Sequence, residues 1–461
     1  MRIVILIYFV LCGVNTINGQ EHFPAGEVVD TIRCQNHPEH SYSIYLPSSY
    51  HPSRSWPVIF IYDAAGRGKN SAEIFRLAGE THGYIIVGSH NFRNGPFDIG
   101  ATAIDILFED VPTRFSIDPQ KIYTAGLSGG ARMAAATAVL ADRIAGVIAF
   151  AAGMHPNFPI KRDSKFAWVG VAGNQDMNYA EMVTVQKKLE NFGIRNMMIT
   201  YAGRHGWPPD NLIADACGWM KLLTSTLEEQ AHEKPLTAFL DTLIHKAEKN
   251  HSSGRVKQSI YALRSISQYI PKSGRIELAK AMLDEYMSHP ETQAQLRMSD
   301  SLQTLELHLQ SEVNEHLTKL SDVDPYISVL ESKEKIRDFI YAEKLYDQPN
   351  VQNVYNRLLG HVALFTFTNG NPLVFQEEYP KAVPYMEVWQ ASHPESESMA
   401  LYLAKVYALA GKSGKAVKMF REALAHGLDD PGLESKKEIL TYLRDKTQLA
   451  KVGWQTAKDW L

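Results

Sequence analysis

Short continuous apolar runs alternate with longer amphipathic stretches through the first 225 positions of the chain. The runs are Ser43–Leu46, Val58–Tyr62, Tyr84–Gly88, Ile122–Ala125, Gly146–Ala151, Ala167–Val171 and Met197–Tyr201. Their length and their β-branched and aromatic content predict strands buried on both faces. Between most of them the apolar positions fall at helical spacing, which predicts helices near Ser71–Glu80, Ile99–Arg114, Gly130–Ala141, Tyr179–Phe192 and Asn211–Leu222. Strand and helix in alternation imply an α/β fold, a mostly parallel sheet with helices on both faces. Ligands of such sheets sit at the carboxyl ends of the strands, so chemistry is to be sought there.

The pattern changes near residue 225. Of the 30 glycines, 21 precede that point, and the remainder is rich in Leu, Ala, Lys, Glu and Gln. This composition favours helices over loops and strands. Val256, Ile260, Leu263, Ser267 and Ile270 follow helical spacing. Further on, Ala382, Met386, Trp389 and Pro394 recur 34 residues later as Ala416, Phe420, Ala423 and Leu428, with Ala400, Leu403, Ala404 and Tyr407 between them. That period and its small/large pattern match a tetratricopeptide repeat over roughly Asn353 to Asp430. The expected division is residues 20–225 for the α/β unit and 226–461 for an α-helical, tetratricopeptide-like unit.

The first 19 residues stand apart. Met1-Arg2 is a short positive start, Ile3 to Cys12 is apolar, and Gly13 to Gly19 is small and polar. This is the layout of a secretory signal peptide cut after Gly19, so the protein is expected to be secreted or periplasmic, without a membrane span. Two cysteines remain, Cys34 and Cys217; in an exported chain they could pair, and separate buried thiols are the favoured expectation; two are too few for a usual structural zinc site. The net charge of −4 leaves no electrostatic footprint for nucleic acid.

Candidate chemistry centres on Gly126-Leu127-Ser128-Gly129-Gly130, a G-x-S-x-G motif. The motif alone is weak. Here a β run, Ile122–Ala125, ends just before it and an Ala-rich helical stretch begins just after it. A strand–turn–helix of this kind strains the backbone at Ser128 and lifts its hydroxyl above the sheet, beside the positive end of a helix. Gly126 and Gly130 keep side chains out of the tight turn.

With that context the first unit, from about Val28 to Leu223, resembles the α/β-hydrolase superfamily. More narrowly, it resembles the secreted esterases grouped with polyhydroxyalkanoate depolymerases and feruloyl esterases. The resemblance implies an acid after a late strand and a histidine after the last one. Asp176 follows the run Phe166–Ala172, and His205 follows Met197–Tyr201 within Arg204-His205-Gly206-Trp207-Pro208. His90 and His155 also follow strand-like runs, but neither follows the last. The implied roles are Ser128 as nucleophile, His205 as base and Asp176 as its orienting acid. The implied oxyanion donors are the backbone N–H of Gly129 and that of Ala64 or Ala65, at a point where many relatives carry His-Gly and this chain has Asp63-Ala64-Ala65-Gly66. Trp207 and Met177 are candidates for an apolar substrate pocket, and no cofactor or metal is implied.

The resulting expectation is an exported serine hydrolase of carboxylic esters, with feruloyl, acetyl or polyester substrates. A serine peptidase is one alternative. The other is a non-catalytic binding or scaffold protein on a spent hydrolase fold. The helical unit is open to a protein partner, to self-association or to a share in the substrate cleft.

Overall fold

The computed structural model describes residues 23–226, 228–229, 234–270, 274–322 and 325–427. The expected leader over residues 1–19, Cys12 and the repeat position Leu428 lie outside them. Among the described residues no helix is long and apolar enough to cross a membrane.

Among the described residues eight strands form one sheet in the order β1-β2-β4-β3-β5-β6-β7-β8. They are β1 (Val28–Arg33), β2 (Ser41–Tyr45), β3 (Trp56–Asp63), β4 (Ile85–Ser89), β5 (Ile117–Leu127), β6 (Ile144–Phe150), β7 (Ala167–Gly173) and β8 (Asn196–Tyr201). From β4 onward all pairings are parallel, while β1 and β2 add an antiparallel edge. All seven strands expected from apolar runs are present. The eighth, β1, lacks such a run: it is half exposed, and its register slips between Val29 and Ile32 where Thr31 takes φ +54°. A bulged edge strand has no buried stripe to betray it.

Six helices cover the sheet: α1 (Gly68–Ile74), α2 (Arg76–His82), α3 (Phe97–Arg114), α4 (Gly129–Leu140), α5 (Tyr179–Phe192) and α6 (Asp210–Thr224). The stretch expected as one helix over Ser71–Glu80 is two, broken at Phe75, whose ring turns inward onto Phe150 and Trp207. Successive strand residues point to opposite faces. Val58 and Phe60 thus join a core with α3, α4 and α5, while Ile59 and Ile61 join one with α1, α2 and α6.

Among the described residues that follow, the main elements are helices: α7 (Lys234–Ser252), α8 (Val256–Tyr269), α9 (Gly274–Ser288), α10 (Pro290–Thr318), α11 (Tyr326–Leu345), α12 (Pro349–Phe375), α13 (Tyr379–Ser392), α14 (Glu397–Leu409) and α15 (Ser413–Ala425). By packing, these helices fall into two groups. Leu240 and Leu243 of α7, Leu263 and Ile266 of α8, and Ile276 of α9 share one core with the second face of the sheet. Ser265 of α8 donates to the carbonyl of Asn196 at 2.9 Å, which covers the β8 edge. From α10 onward a separate core forms around Val313, Leu358, Met386, Leu403 and Phe420. The buried positions of α13–α15 include Ala382, Met386, Ala400, Ala404, Ala416 and Ala423.

Cys34 and Cys217 are buried free thiols, as expected. Burial pushes the Cys34 thiol up to about 12, aided by the nearby Asp110 carboxylate.

One histidine ties α2 to α6. His82 Nε2 lies 2.9 Å from the Ala214 carbonyl, so that nitrogen carries the proton, and its ring meets Phe239 edge-on. Burial lowers its pKa to about 4. The unfolded chain protonates this group near 6.5 and the native state only near 4, so stability declines as pH falls through that window. The loss is on the order of 3 kcal/mol. Urea unfolding of the wild type is expected to show this loss between pH 7.5 and pH 4.5, and His82→Gln to show a smaller one. An equal loss in both would remove His82 as its source.

Candidate active site

The carboxyl ends of β5, β7 and β8 each deliver one of the three predicted side chains. Ser128 directly follows β5 and precedes the first residue of α4. Its backbone stands at φ +57°, ψ −118°, held by an N–H bond of 2.9 Å to the Phe150 carbonyl. A side chain at Gly130 would place its Cβ 1.9 Å from the Tyr62 carbonyl oxygen, and one at Gly126 would come within 2.4 Å of the Gly130 backbone. Only glycine closes this turn, because the start of α4 meets the backbones of both β5 and β3. The fold is of α/β-hydrolase type.

Asp176 sits in the turn after β7, its N–H bonded to the Gly173 carbonyl and its Oδ1 accepting from the Asn178 N–H. It is fully buried. His205 lies on the loop after β8. Its Nδ1 is 3.1 Å from both Oδ1 and Oδ2 of Asp176. The carboxylate accepts, so the proton resides on Nδ1 and the Nε2 lone pair is free for a second partner. The two loops are laced together: Asn174 N–H bonds the Tyr201 carbonyl, Gln175 N–H the Gly203 carbonyl, and Gly203 N–H the Asn174 side chain.

Trp207 sets where the His205 loop runs. Its ring packs on Phe150 at 5.0 Å and edge-on against Phe75 at 5.6 Å, and its Nε1–H reaches Asp63 Oδ2 at 3.4 Å. Asp63 is the register partner of Leu127, the residue before Ser128, and Phe150 receives the Ser128 N–H. The loop is therefore drawn back over the strand ends toward the serine. Trp207 is a candidate for a substrate pocket; its indole is wedged between core rings, anchors the loop, and is not among the residues that line the cavity described below. Among the described residues no hydrogen bond joins the Ser128 hydroxyl to His205 or to any other group.

The loop after β3 settles how its amides are used. Asp63 is buried; burial raises its pKa, but bonds from Arg67, the Ala65 N–H and Trp207 outweigh this and hold it below the usual carboxylate range. The Ala65 N–H is thereby engaged at 2.8 Å, which corrects its candidacy as an oxyanion donor. Ala64 and Gly129 keep backbone N–H groups without a partner among the described residues.

Other residues near the rim act as supports or lie apart from it. Arg132 makes a two-pronged ion pair with Glu181 at 2.6 Å. His90 binds Ser43 and Asp30 away from the elbow, and His155 packs on Phe97 and Phe158. Met177 does line a cavity of about 420 Å³, together with Gln175, Arg204 and His205 on one wall.

Two features had no sequence signal. The first is Asn94, after β4: a Cβ at Gly129 would fall 1.9 Å from its Oδ1, so its carboxamide lies directly on the elbow, fixed by its own N–H to the Ala64 carbonyl. The second is Arg357 of α12. It is buried, doubly bonded to Glu306 of α10 at 2.9 and 2.6 Å, stacked 4.7 Å over Tyr179, and bonded at 2.6 Å to the carbonyl of Asn174, two residues before Asp176. No local pattern announces a guanidinium that pairs within the helical unit and also bonds a carbonyl of the α/β unit.

No protein-family model matches the chain, and no curated protein does. Among solved structures it is similar to a hyperthermophilic esterase of the archaeon Pyrobaculum calidifontis, at 15% identity over 44% of this chain and 88% of that one, with a TM-score of 0.35. A ferulic acid esterase is 18% identical over 42% and 97% of the two chains, with a TM-score of 0.35. A fluorophosphonate-binding serine hydrolase of Staphylococcus aureus is 12% identical over 43% and 99%, with a TM-score of 0.34. At that level of likeness no property of theirs is carried to this chain.

Proposed function

We propose that this chain is an exported serine hydrolase that cleaves carboxylic esters. The observation that carries the reading is the His205–Asp176 pair after β8 and β7, on the same rim of the sheet as a serine held at positive φ after β5. In the proposed cycle Ser128 Oγ attacks the ester carbonyl carbon while His205 Nε2 takes its proton. The oxyanion receives the N–H groups of Gly129 and Ala64, and the N-terminus of α4 adds its positive field. The C–O bond to the alcohol breaks, and His205 returns the proton to the departing oxygen. Water then attacks the acyl-serine by the same route, which releases the acid and restores Ser128. Asp176 keeps the ring in the required tautomer and stabilises the imidazolium. Export rests on the sequence of the first 19 residues, and the tetratricopeptide-like reading of α13–α15 on their residue spacing.

The unbonded Ser128 hydroxyl favours a second reading, a binding protein on a spent fold. Hydrogen bonds of this kind often tighten only when substrate is present. A fluorophosphonate probe separates the two. The active hydrolase is expected to be labelled on Ser128, with labelling lost in His205→Ala. Folded wild-type protein that stays unlabelled would leave the scaffold reading standing.

A further inference from the structure

Helix α12 carries two largely apolar faces. Val354, Leu358, Val362 and Thr366 recur at helical spacing and are buried in the core it forms with α10, α11 and α13. A second stripe, Asn356, Leu359, Gly360, Ala363, Leu364 and Phe367, recurs at the same spacing and faces the 420 Å³ cavity. A helix on the outside of a bundle needs only one apolar face. The second is bordered by the active-site rim: Gly360 lies against Met177, with room for a Cβ only at 3.3 Å, and Arg357 locks the helix to the Asn174 carbonyl. Trp389 of α13 and His393 just past its end also line the cavity, with the Trp389 ring 5.2 Å from that of Phe367.

We infer that α12 and α13 form the binding pocket for the alcohol part of the ester, and that this alcohol is apolar and ring-sized. The inference rests on the esterase reading above and extends it to the helical unit. Which part of the substrate enters follows from the lining. His205 borders the cavity, whereas Ser128 and the N–H groups of Gly129 and Ala64 do not. The carbonyl oxygen must lie at those N–H groups. The leaving oxygen must lie at the imidazole, because His205 hands it a proton. A group extending past the imidazole, away from the elbow, is therefore the alcohol. The walls it meets are the thioether of Met177, the aliphatic Leu359, Ala363 and Leu364, and the rings of Phe367 and Trp389. Such surfaces take a flat apolar body, and the volume accommodates one. The polar lining groups are Gln175, Arg204, His205, Asn356 and His393, and the rest of the lining is apolar.

The test compares full-length variants on esters that share an acetyl group. Ala363→Phe fills the cavity from a partly exposed position, and Phe367→Ala removes a wall. The ratio of kcat/KM for 2-naphthyl acetate to that for ethyl acetate is expected to fall about tenfold or more in Ala363→Phe, and less in Phe367→Ala, mainly through KM. An unchanged ratio in both folded variants would overturn the inference. So would a selective loss on ethyl 2-naphthoate, whose ring is on the acyl side. A binding arm keeps this separate from catalysis. Calorimetry of Ser128→Ala with 2-naphthol is expected to give saturable one-to-one binding that disappears when Ala363→Phe is added. No binding in the first, or undiminished binding in the second, counts against the pocket. A wild type that hydrolyses none of the esters and resists the fluorophosphonate counts against the esterase reading instead.

Discussion

Turnover of p-nitrophenyl acetate is expected to fall by about 10⁶ in Ser128→Ala, the scale seen when a triad nucleophile is removed, and by about 10⁴ in Asp176→Asn, where the imidazole keeps its place but takes the wrong tautomer. The structure adds a second readout. Ser128 occupies φ +57°, a conformation costly for any residue with a Cβ. Ser128→Gly should therefore be inactive yet more stable by about 1 kcal/mol, because the strain held at the elbow is released. Chemical denaturation of the two variants checks this. Equal activity in Ser128→Ala and wild type would end the nucleophile assignment. A Ser128→Gly chain less stable than Ser128→Ala would show that the strain argument is wrong.

Arg357→Met is expected to cost about 3–5 kcal/mol of stability, because it leaves the Glu306 carboxylate buried without its partner. The guanidinium also holds the Asn174 carbonyl and covers Tyr179, so the same change loosens the turn that presents Asp176. Ester hydrolysis should fall with stability, through kcat more than KM. The double variant Arg357→Met/Glu306→Met removes both charges and should recover most of the lost stability, since apolar groups of similar volume can replace a buried pair at little cost. Urea midpoints of wild type, single and double variants decide it. A single variant as stable as the double would mean that the pair is solvated and carries no such energy.

Much of the sheet was legible because its strands are buried on both faces. Val58–Tyr62 and Ala167–Val171 read as strands in any context, since a continuous apolar run bounded by turn residues has few other uses. The elbow was legible for a related reason: the backbone contacts of α4 with β5 and β3 admit only glycine at 126 and 130, and that demand is written into the sequence itself. The bulged β1 and the break at Phe75 were not legible. Both depend on where a neighbouring element lies, and not on local preference.

The site divides in the same way. Ser128, Asp176 and His205 could be picked out because each follows a strand end, and strand ends of one parallel sheet share a rim. Trp207 could not be placed. An indole two residues from a candidate base reads equally as pocket wall or wedge, and only the positions of Phe75, Phe150 and Asp63 made it a wedge. Ala64 and Ala65 were indistinguishable until the Asp63 carboxylate was seen to engage one of their amides.

The order of strands and helices, the elbow and the identity of the three candidate side chains were set by residues that act within a few positions of one another, so the sequence alone determined them. The Arg357–Glu306 lock, the contact of Asn94 with Gly129 and the cavity bounded by α12 and His205 were decided only by the tertiary structure. Each joins segments remote along the chain, and burial of a charge or an apolar face against a distant partner leaves no period or spacing to read.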